Sequence, residues 1–557
     1  MANAMNNFFV NIGKTVEGKI PQGNKRFSDF LGDPNRFIIT LNDCTSDEIG
    51  EYIDKLNVSK ASGPFSVPTN ILKNNKEIFL QPLTSVINKS IAEGVFPNLL
   101  KSASVCPIYK KNDKRVCANY RPISLLSNIG KIFERAMYNR IEVFLNEYDL
   151  IYENQYGFRK KHSTNHALVG IVELIRKNLD NKMFTCGIFV DLEKAFDTVN
   201  HKILIEKLNH MGISDKANSW ISSYLSDRKQ FVKLNGVESK TECVTCGVPQ
   251  GSILGPLLFI IYINDLHRSL SKCSVFHFAD DTNLLFSCKN SKNLAREING
   301  ELQALFDWLC ANRLSLNVSK TEFIIFRPPR TNLEQRVVLK LNGTKLFESP
   351  KIKYLGIILD NNLSWKHHIH ELSKKLNRAV GMVFKIRDNC SKTVLRSLYF
   401  SLFNSHITYG IPVWGKCNAL YTNKLFLIQK KIVRAITNST FIANSSPLFK
   451  ELNILKFEDI FKTQVASLMW DFDHGNLPCS LNHLFTIRAN VHGLNLRNAE
   501  NQRLYTATKR NSKYGFNSFS QIGSVLLNQL KDLSIYNDSN LKSTFMMKYK
   551  RHLIEKY

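Results

Sequence analysis

Apolar residues recur along this chain with two different periods, and the changes between them predict its elements. Near the start the spacing is helical. Thr45-Ser46-Asp47-Glu48 forms a capping box, with Thr45 as N-cap and Glu48 three residues on, opening a helix through Leu56. Residues 61–69 read as a turn because Gly63 and two prolines punctuate them. Helical periodicity returns from Leu80 to Glu93 and from Ser127 to Tyr148. The period then shortens. Phe184 to Leu192 is a nearly continuous apolar run carrying an acid, which predicts a strand buried on both faces. A helix is expected at once, with Phe196, Val199, Ile203, Ile205 and Leu208 on one stripe. Ser274 to Phe286 reads as two short strands joined at Ala279-Asp280-Asp281-Thr282, a hairpin with acids at its tip. An amphipathic helix over Asn293–Asn312 follows, then strands over Phe323–Phe326 and Tyr354–Leu359. From His367 the pattern is almost wholly helical, with basic faces at Lys374, Lys375, Arg378 and at Lys430, Lys431, Arg434. The expectation is an α+β unit followed by an all-helical region.

Length and charge sharpen this picture. At 557 residues the chain is too long for one ordinary core. Its formal net charge is +28, and basic surface of that extent suits a phosphate backbone, from which it displaces counterions. Solubility or an anionic membrane surface is the blander explanation. No segment approaches the ~18–20 continuous apolar residues that span a bilayer; the strongest run, Leu257 to Ile263, is broken by Asn264 and Asp265 and reads as core. The start carries Asn6, Asn7 and Asn11 and nothing like a secretory signal. Twelve scattered cysteines read as reduced thiols of an intracellular protein, in nucleus or cytoplasm and not secreted. Cys243 and Cys246 form a C-x-x-C without a second pair, and Cys273 and His277 are poor recruits for a zinc site.

The chemistry lies in the acids. Asp191 ends an apolar strand, and Asp280-Asp281 sits between Phe278 and Leu284. Carboxylates beside so much hydrophobic sequence cost several kcal/mol to bury unless a cation or hydrogen bonds compensate. If the hairpin pairs beside the strand, three acids converge and raise one another's pKa unless a metal neutralises them. Magnesium fits, taking one or two carboxylates and completing its octahedron with water and phosphate. Two such ions can clamp the attacking and leaving oxygens of an in-line phosphoryl displacement.

These residues stand in motifs that resemble those of reverse transcriptases. Phe-Val-Asp191-Leu-Glu-Lys-Ala-Phe196-Asp197 is similar to motif A, Gly247-Val-Pro-Gln250-Gly251-Ser252-Ile-Leu-Gly-Pro256 to motif B, and Phe278-Ala-Asp-Asp281 to motif C. The x-Ala-Asp-Asp form and the long motif B resemble non-LTR (LINE-like) retrotransposons and group II introns more than retroviruses. Tyr120-Arg121-Pro122-Ile123-Ser124, Gln155-Tyr-Gly157-Phe158-Arg159, Asn317-x-x-Lys320-Thr321 and Tyr354-Leu355-Gly356 match the family's fingers, a template-side segment, motif D and the primer grip. His406-Ile-Thr-Tyr-Gly-Ile-Pro-Val-Trp414-Gly resembles jockey-type elements. The resemblance covers roughly residues 40 to 440.

It implies a right-hand polymerase: residues 1–40 a remnant or linker, 41–180 fingers, 181–360 a palm with an antiparallel sheet, 361–440 a helical thumb, and 441–557 a helical basic region of unknown role. Asp191, Asp280 and Asp281 become ligands of two Mg²⁺ ions, Asp281 in a supporting part. Phe196, at most ~17 Å from Asp191 along the chain, corresponds to a steric gate against the ribose 2′-hydroxyl, although it fits the predicted helix stripe equally well. Gln250 and Gly251 face the nucleotide. Arg121, with Lys110 and Lys111 ahead of it, is a triphosphate ligand, since the guanidinium fork binds phosphate bidentately. Lys320 assists the departing pyrophosphate or remains an ordinary surface lysine. Arg159, Lys160 and Lys161 ride a nucleic-acid backbone. Arg503, Lys509, Arg510, Tyr514 and Phe516 permit RNA binding near the end of the chain. The implied partners are an RNA template, a DNA primer or target DNA, and dNTPs.

Two departures stand out. Many related elements carry Gly-Pro-Asp-Gly where this chain has Gly63-Pro-Phe65-Ser66, and LINE-like elements usually carry a nuclease ahead of the polymerase, so a partial open reading frame is expected. The alternatives are a decayed or domesticated copy that only binds RNA, and a group II intron maturase-like polymerase.

Overall fold

The computed structural model describes the chain apart from residues 290–293, 329–330, 332–335, 488–502, 505 and 507–510; Asn293, Lys509 and Arg510 lie outside the described residues. Two sheets organise the first two thirds of the molecule. In the first, strands β1 (Ser102–Tyr109), β2 (Tyr120–Leu125), β4 (Arg228–Leu234) and β5 (Val237–Glu238) run in the order β2-β1-β4-β5, with β6 (Glu242–Val244) also paired to β4. In the second, β3 (Phe184–Val190) is central, flanked by β8 (Asp281–Cys288) and β9 (Glu322–Phe326), both antiparallel to it, while β7 (Ser274–Phe278) closes a hairpin with β8.

The second sheet divides the two large cores. Successive side chains of a strand point to opposite faces. Cys186, Ile188 and Val190 of β3, Leu284 and Phe286 of β8, and Phe323 and Ile325 of β9 enter one core. Leu285, Ile324 and Phe326 enter the other, with Phe189 packed at its edge. The first core is completed by helices Asn128–Glu147 and Leu254–Tyr262; the second by helices Thr164–Asp180, Lys366–Ile386 and Ala419–Ile436 and by the C-terminal helices. A sheet covered on both faces explains why its strands read as unbroken apolar runs.

Most predicted elements appear within a few residues of their expected bounds. Ser46–Asp54 is capped by Thr45, whose hydroxyl accepts from the Glu48 N–H. Three stretches differ. The helix expected directly after Leu192 starts only at His201, capped by the Asn200 side chain. Residues 192–200 instead form a loop, because Phe196 O and Val199 O accept from Val248 N and Gly247 N at 2.8 Å. That removes Phe196 from the helical stripe. The expected strand Tyr354–Leu359 is a hairpin, Lys351–Tyr354 against Ile357–Asp360, turned at Leu355 (φ +41°) and Gly356 (φ +83°) as a two-residue connection needs. Finally, the opening residues are folded: helix Ala2–Glu17 packs on the first sheet, where Asn6 Nδ2 donates to Lys240 O at 2.8 Å.

The chain's end is anchored as firmly. Arg176, buried in helix Thr164–Asp180, donates to Val413 O at 2.7 Å and Asn517 O at 2.6 Å. Glu173 on the same helix accepts from Phe519 N and Ser520 N, capping helix Phe519–Lys531. Tyr514 is buried and its hydroxyl donates to Asn362 O, Arg503 pairs with Asp532, and Phe516 is exposed. Among the described residues no helix is long and apolar enough to cross a membrane.

Candidate active site

Strand register builds the site. Val190, the last residue of β3, lies opposite Thr282 of β8, so Asp191 follows directly beside the β7–β8 turn that carries Asp280 and Asp281. Asp280 and Asp281 are exposed and Asp191 is half-buried. Crowding by the surrounding chain, and then the charge of Asp191, raises the Asp280 carboxyl above the ordinary carboxylate range, with Arg121 and Lys110 pulling the other way. Asp281 is pushed up to about 6, first by crowding and then by its neighbours Asp280 and Asp191. The three acids therefore sense one another across a distance of 90 residues in the sequence.

Cations face them. Lys320 Nζ lies 3.1 Å from Asp191 Oδ2. It is carried there by a turn in which Lys320 N and Thr321 N donate to Asn317 O, while Asn317 N donates to Asp191 O at 2.9 Å. Lys110 and Arg121, at the ends of β1 and β2, are exposed. Desolvation lowers the Lys110 pKa, followed by the charges of Arg121 and Lys320, and Asp191 opposes that shift. These mutual influences put Lys110, Arg121, Lys320 and the acids in one electrostatic neighbourhood drawn from both sheets.

The Gly247–Gly251 loop joins the sheets behind this cluster. Ser124 N of β2 donates to Gln250 O at 2.8 Å. Gly251 has φ +124°, and a Cβ there would stand 2.6 Å from Ser124 O, so only glycine fits. Gln250 Nε2 donates to Asp197 Oδ1 at 2.8 Å, while Asp197 Oδ2 is buried without a partner and burial lifts that carboxyl to about 6. The helix after this loop, Leu254–Tyr262, is capped by the buried Glu134, which accepts from Ile253 N at 2.6 Å and Leu254 N at 3.2 Å. Phe196 is half-buried, stacks on Phe259 at 4.6 Å and meets the exposed Phe158 edge-on at 6.1 Å.

The remaining expected contacts separate. Arg159 is half-buried and donates to Tyr152 O at 3.1 Å, Lys160 pairs with Glu142, and Lys161 is exposed. Tyr354 is buried against Phe189, its hydroxyl without a partner, so burial raises its pKa. Leu355 and Gly356 form the turn beyond it, where Leu355 O accepts from the Tyr409 hydroxyl at 2.6 Å. Glu134 stands in none of the motif-like segments, and its partners Ile253 and Leu254 are far away in sequence; Asp197 and Gln155 lie inside such segments, but nothing there marks Gln250 or Ala279 as their partners.

Among the described residues no group of three or more His, Cys, Asp and Glu side chains is gathered to hold a metal. Magnesium does not require one, since one or two carboxylates suffice when water and substrate phosphate complete the shell. Asp191 already draws an ammonium group, and desolvation followed by like charge raises Asp280 and Asp281, so the donor set fits a hard cation.

Residues 108–359 match the family model of reverse transcriptase (RNA-dependent DNA polymerase). This stretch is a reverse transcriptase domain. The chain is 27% identical over 446 residues to the RNA-directed DNA polymerase from mobile element jockey of Drosophila melanogaster, covering 78% of this chain and 48% of that one. It is 28% identical over 442 residues to the probable RNA-directed DNA polymerase from transposon BS of the same species, covering 77% and 49%. A more distant relative is the Pol polyprotein from type-1 retrotransposable element R1 of Bradysia coprophila, 25% identical over 79% of this chain and 42% of that one. The chain thus spans about half the length of the curated relatives it matches. The reverse transcriptase domain holds every residue of the acid cluster and the cations that face it.

Proposed function

We propose that the chain is an RNA-directed DNA polymerase of a non-LTR retrotransposon, extending a primer 3′-hydroxyl on an RNA template. The observation that carries this reading is the register of β3 with β8, which sets Asp191 beside Asp280 and Asp281 inside the matched domain. In this reading residues 41–180 act as fingers, 181–360 as palm and 361–440 as thumb, with 441–557 a helical basic region of unknown role. Two Mg²⁺ ions, held by Asp191 and Asp280 with Asp281 in support, would stabilise the charge on the attacking and leaving oxygens.

The chain's own residues do the rest. Arg121 and Lys110 bind the triphosphate, and Phe196, propped between Phe259 and Phe158, walls the sugar against a 2′-hydroxyl. Gln250, fixed by Asp197, and Gly251 line the nucleotide side. Lys320, paired with Asp191, neutralises the pyrophosphate as it leaves. Lys161 faces the template backbone, and the Leu355–Gly356 turn, held by Tyr409, meets the primer.

A decayed copy that only binds RNA has one observation in its favour: Phe65, where the family resemblance leads one to expect aspartate, is exposed with φ +51°. Primer extension separates the two. With poly-rA, oligo-dT, dTTP and Mg²⁺ the protein yields extended primer, and D280N yields none while still binding RNA. Equal silence from both would leave the binding module as the better reading.

A further inference from the structure

The turn that presents Asp280 is not self-supporting. Ala279, the residue before it, has φ +56°, a left-handed conformation that L residues other than Asn and Asp avoid. Its backbone N–H is buried and donates at 3.1 Å to the side-chain oxygen of Gln155, which also accepts from Gly157 N at 2.8 Å. Two main-chain donors facing one oxygen leave the amide a single sensible orientation. Gln155 is itself buried, and the segment around it lies along β7: His277 N donates to Asn154 O and Tyr156 N to His277 O, both at 2.9 Å. Contact here is as close as backbone allows, since a Cβ on Gly157 would stand 2.1 Å from Ala279 N.

We propose that Gln155 is a positioning residue: its amide oxygen holds Ala279 in the left-handed conformation and so fixes where the Asp280 carboxylate points. The inference rests on the polymerase reading for its consequence, though not for its geometry. Gln155 touches no reacting atom. It acts through the turn, and catalytic groups displaced by about an ångström lose roughly a hundredfold in rate.

Three variants test this. Q155M keeps length and shape but cannot accept a hydrogen bond. It should lower kcat for primer extension roughly 10- to 100-fold with KM for dNTP little changed, in a protein whose unfolding is still cooperative. A279G accepts a positive φ without help, so adding it to Q155M should recover most of the lost kcat. G157A should behave like Q155M. A Q155M variant with wild-type kcat, or a loss that A279G does not relieve, overturns the proposal. Hydrogen exchange reads the same bond without catalysis: the Ala279 amide is protected in the wild type and exchanges faster in Q155M. Protection with a catalytically silent wild type would sink the polymerase reading and uphold the hold on the turn. An Ala279 amide that exchanges equally fast in both sinks the hold itself.

Discussion

Asp197 is a carboxylate that the fold buries with one oxygen satisfied and the other bare. An ordinary aspartate titrates near 3.8, and burial lifts this one to about 6, against the pull of its Gln250 hydrogen bond. Each tenfold change in a dissociation constant is about 1.4 kcal/mol. Ionising Asp197 in the folded chain is therefore disfavoured by roughly 3 kcal/mol relative to the unfolded chain, less whatever water reaches it. The sign follows from proton binding. Between about pH 4 and pH 6 the folded state holds more protons here than the unfolded state, so stability falls as pH rises through that window and stays lowered above it. D197N keeps an oxygen for Gln250 and carries no charge at any pH. The unfolding free energy of D197N minus that of the wild type should grow by roughly 2–3 kcal/mol from pH 4 to pH 7, read from urea transitions followed by tryptophan fluorescence. Taking the difference cancels groups common to both proteins. Parallel curves would refute the reasoning and mean that Oδ2 is hydrated or paired.

Lys207 and Asp265 form a buried ion pair, shared with Trp308 Nε1 and Tyr262 O. K207M strands the carboxylate and should lower stability by about 3–5 kcal/mol; a loss under 1 kcal/mol in urea unfolding contradicts this. Phe65 sits exposed at φ +51°, so F65N should raise the unfolding free energy by about 1 kcal/mol, seen as a higher Tm with unchanged RNA binding. F196V should raise ribonucleotide incorporation relative to deoxynucleotide roughly 10- to 200-fold; unchanged sugar selection in single-nucleotide extension would assign Phe196 to packing alone.

The elements that carry the acids are legible in the sequence because both are written locally. Phe184–Val190 must be buried on two faces to tolerate so many apolar residues in a row, and Ala279-Asp280 interrupts two apolar runs where only a turn fits. The displaced helix start at His201 was not legible. The stripe through Phe196 and Val199 has helical spacing, and only the Gly247–Val248 backbone, some fifty residues later, offers these residues another set of hydrogen bonds. Tyr354 misleads for a related reason: β-prone residues continue through Leu355, and the positive φ there is demanded by pairing of the flanking strands. Partners such as Lys320 for Asp191, Glu134 for the Leu254–Tyr262 helix and Gln155 for Ala279 are matters of tertiary approach. The residues around each of them in the sequence do not say which partner it will meet.

The docking of residues 512–520 on helix Thr164–Asp180 bears on how this chain can be trimmed. Glu173, Arg176 and Asp180 each find a partner in that late segment, and Arg176 also reaches the main chain at Val413. A protein ended at residue 440 would keep every motif of the reverse transcriptase domain, yet expose a helix face whose charged groups had lost their counterparts. That helix lies against the strand that leads into Asp191. A boundary drawn just after the last motif would thus cut the bonds that Glu173 and Arg176 make a hundred residues beyond it.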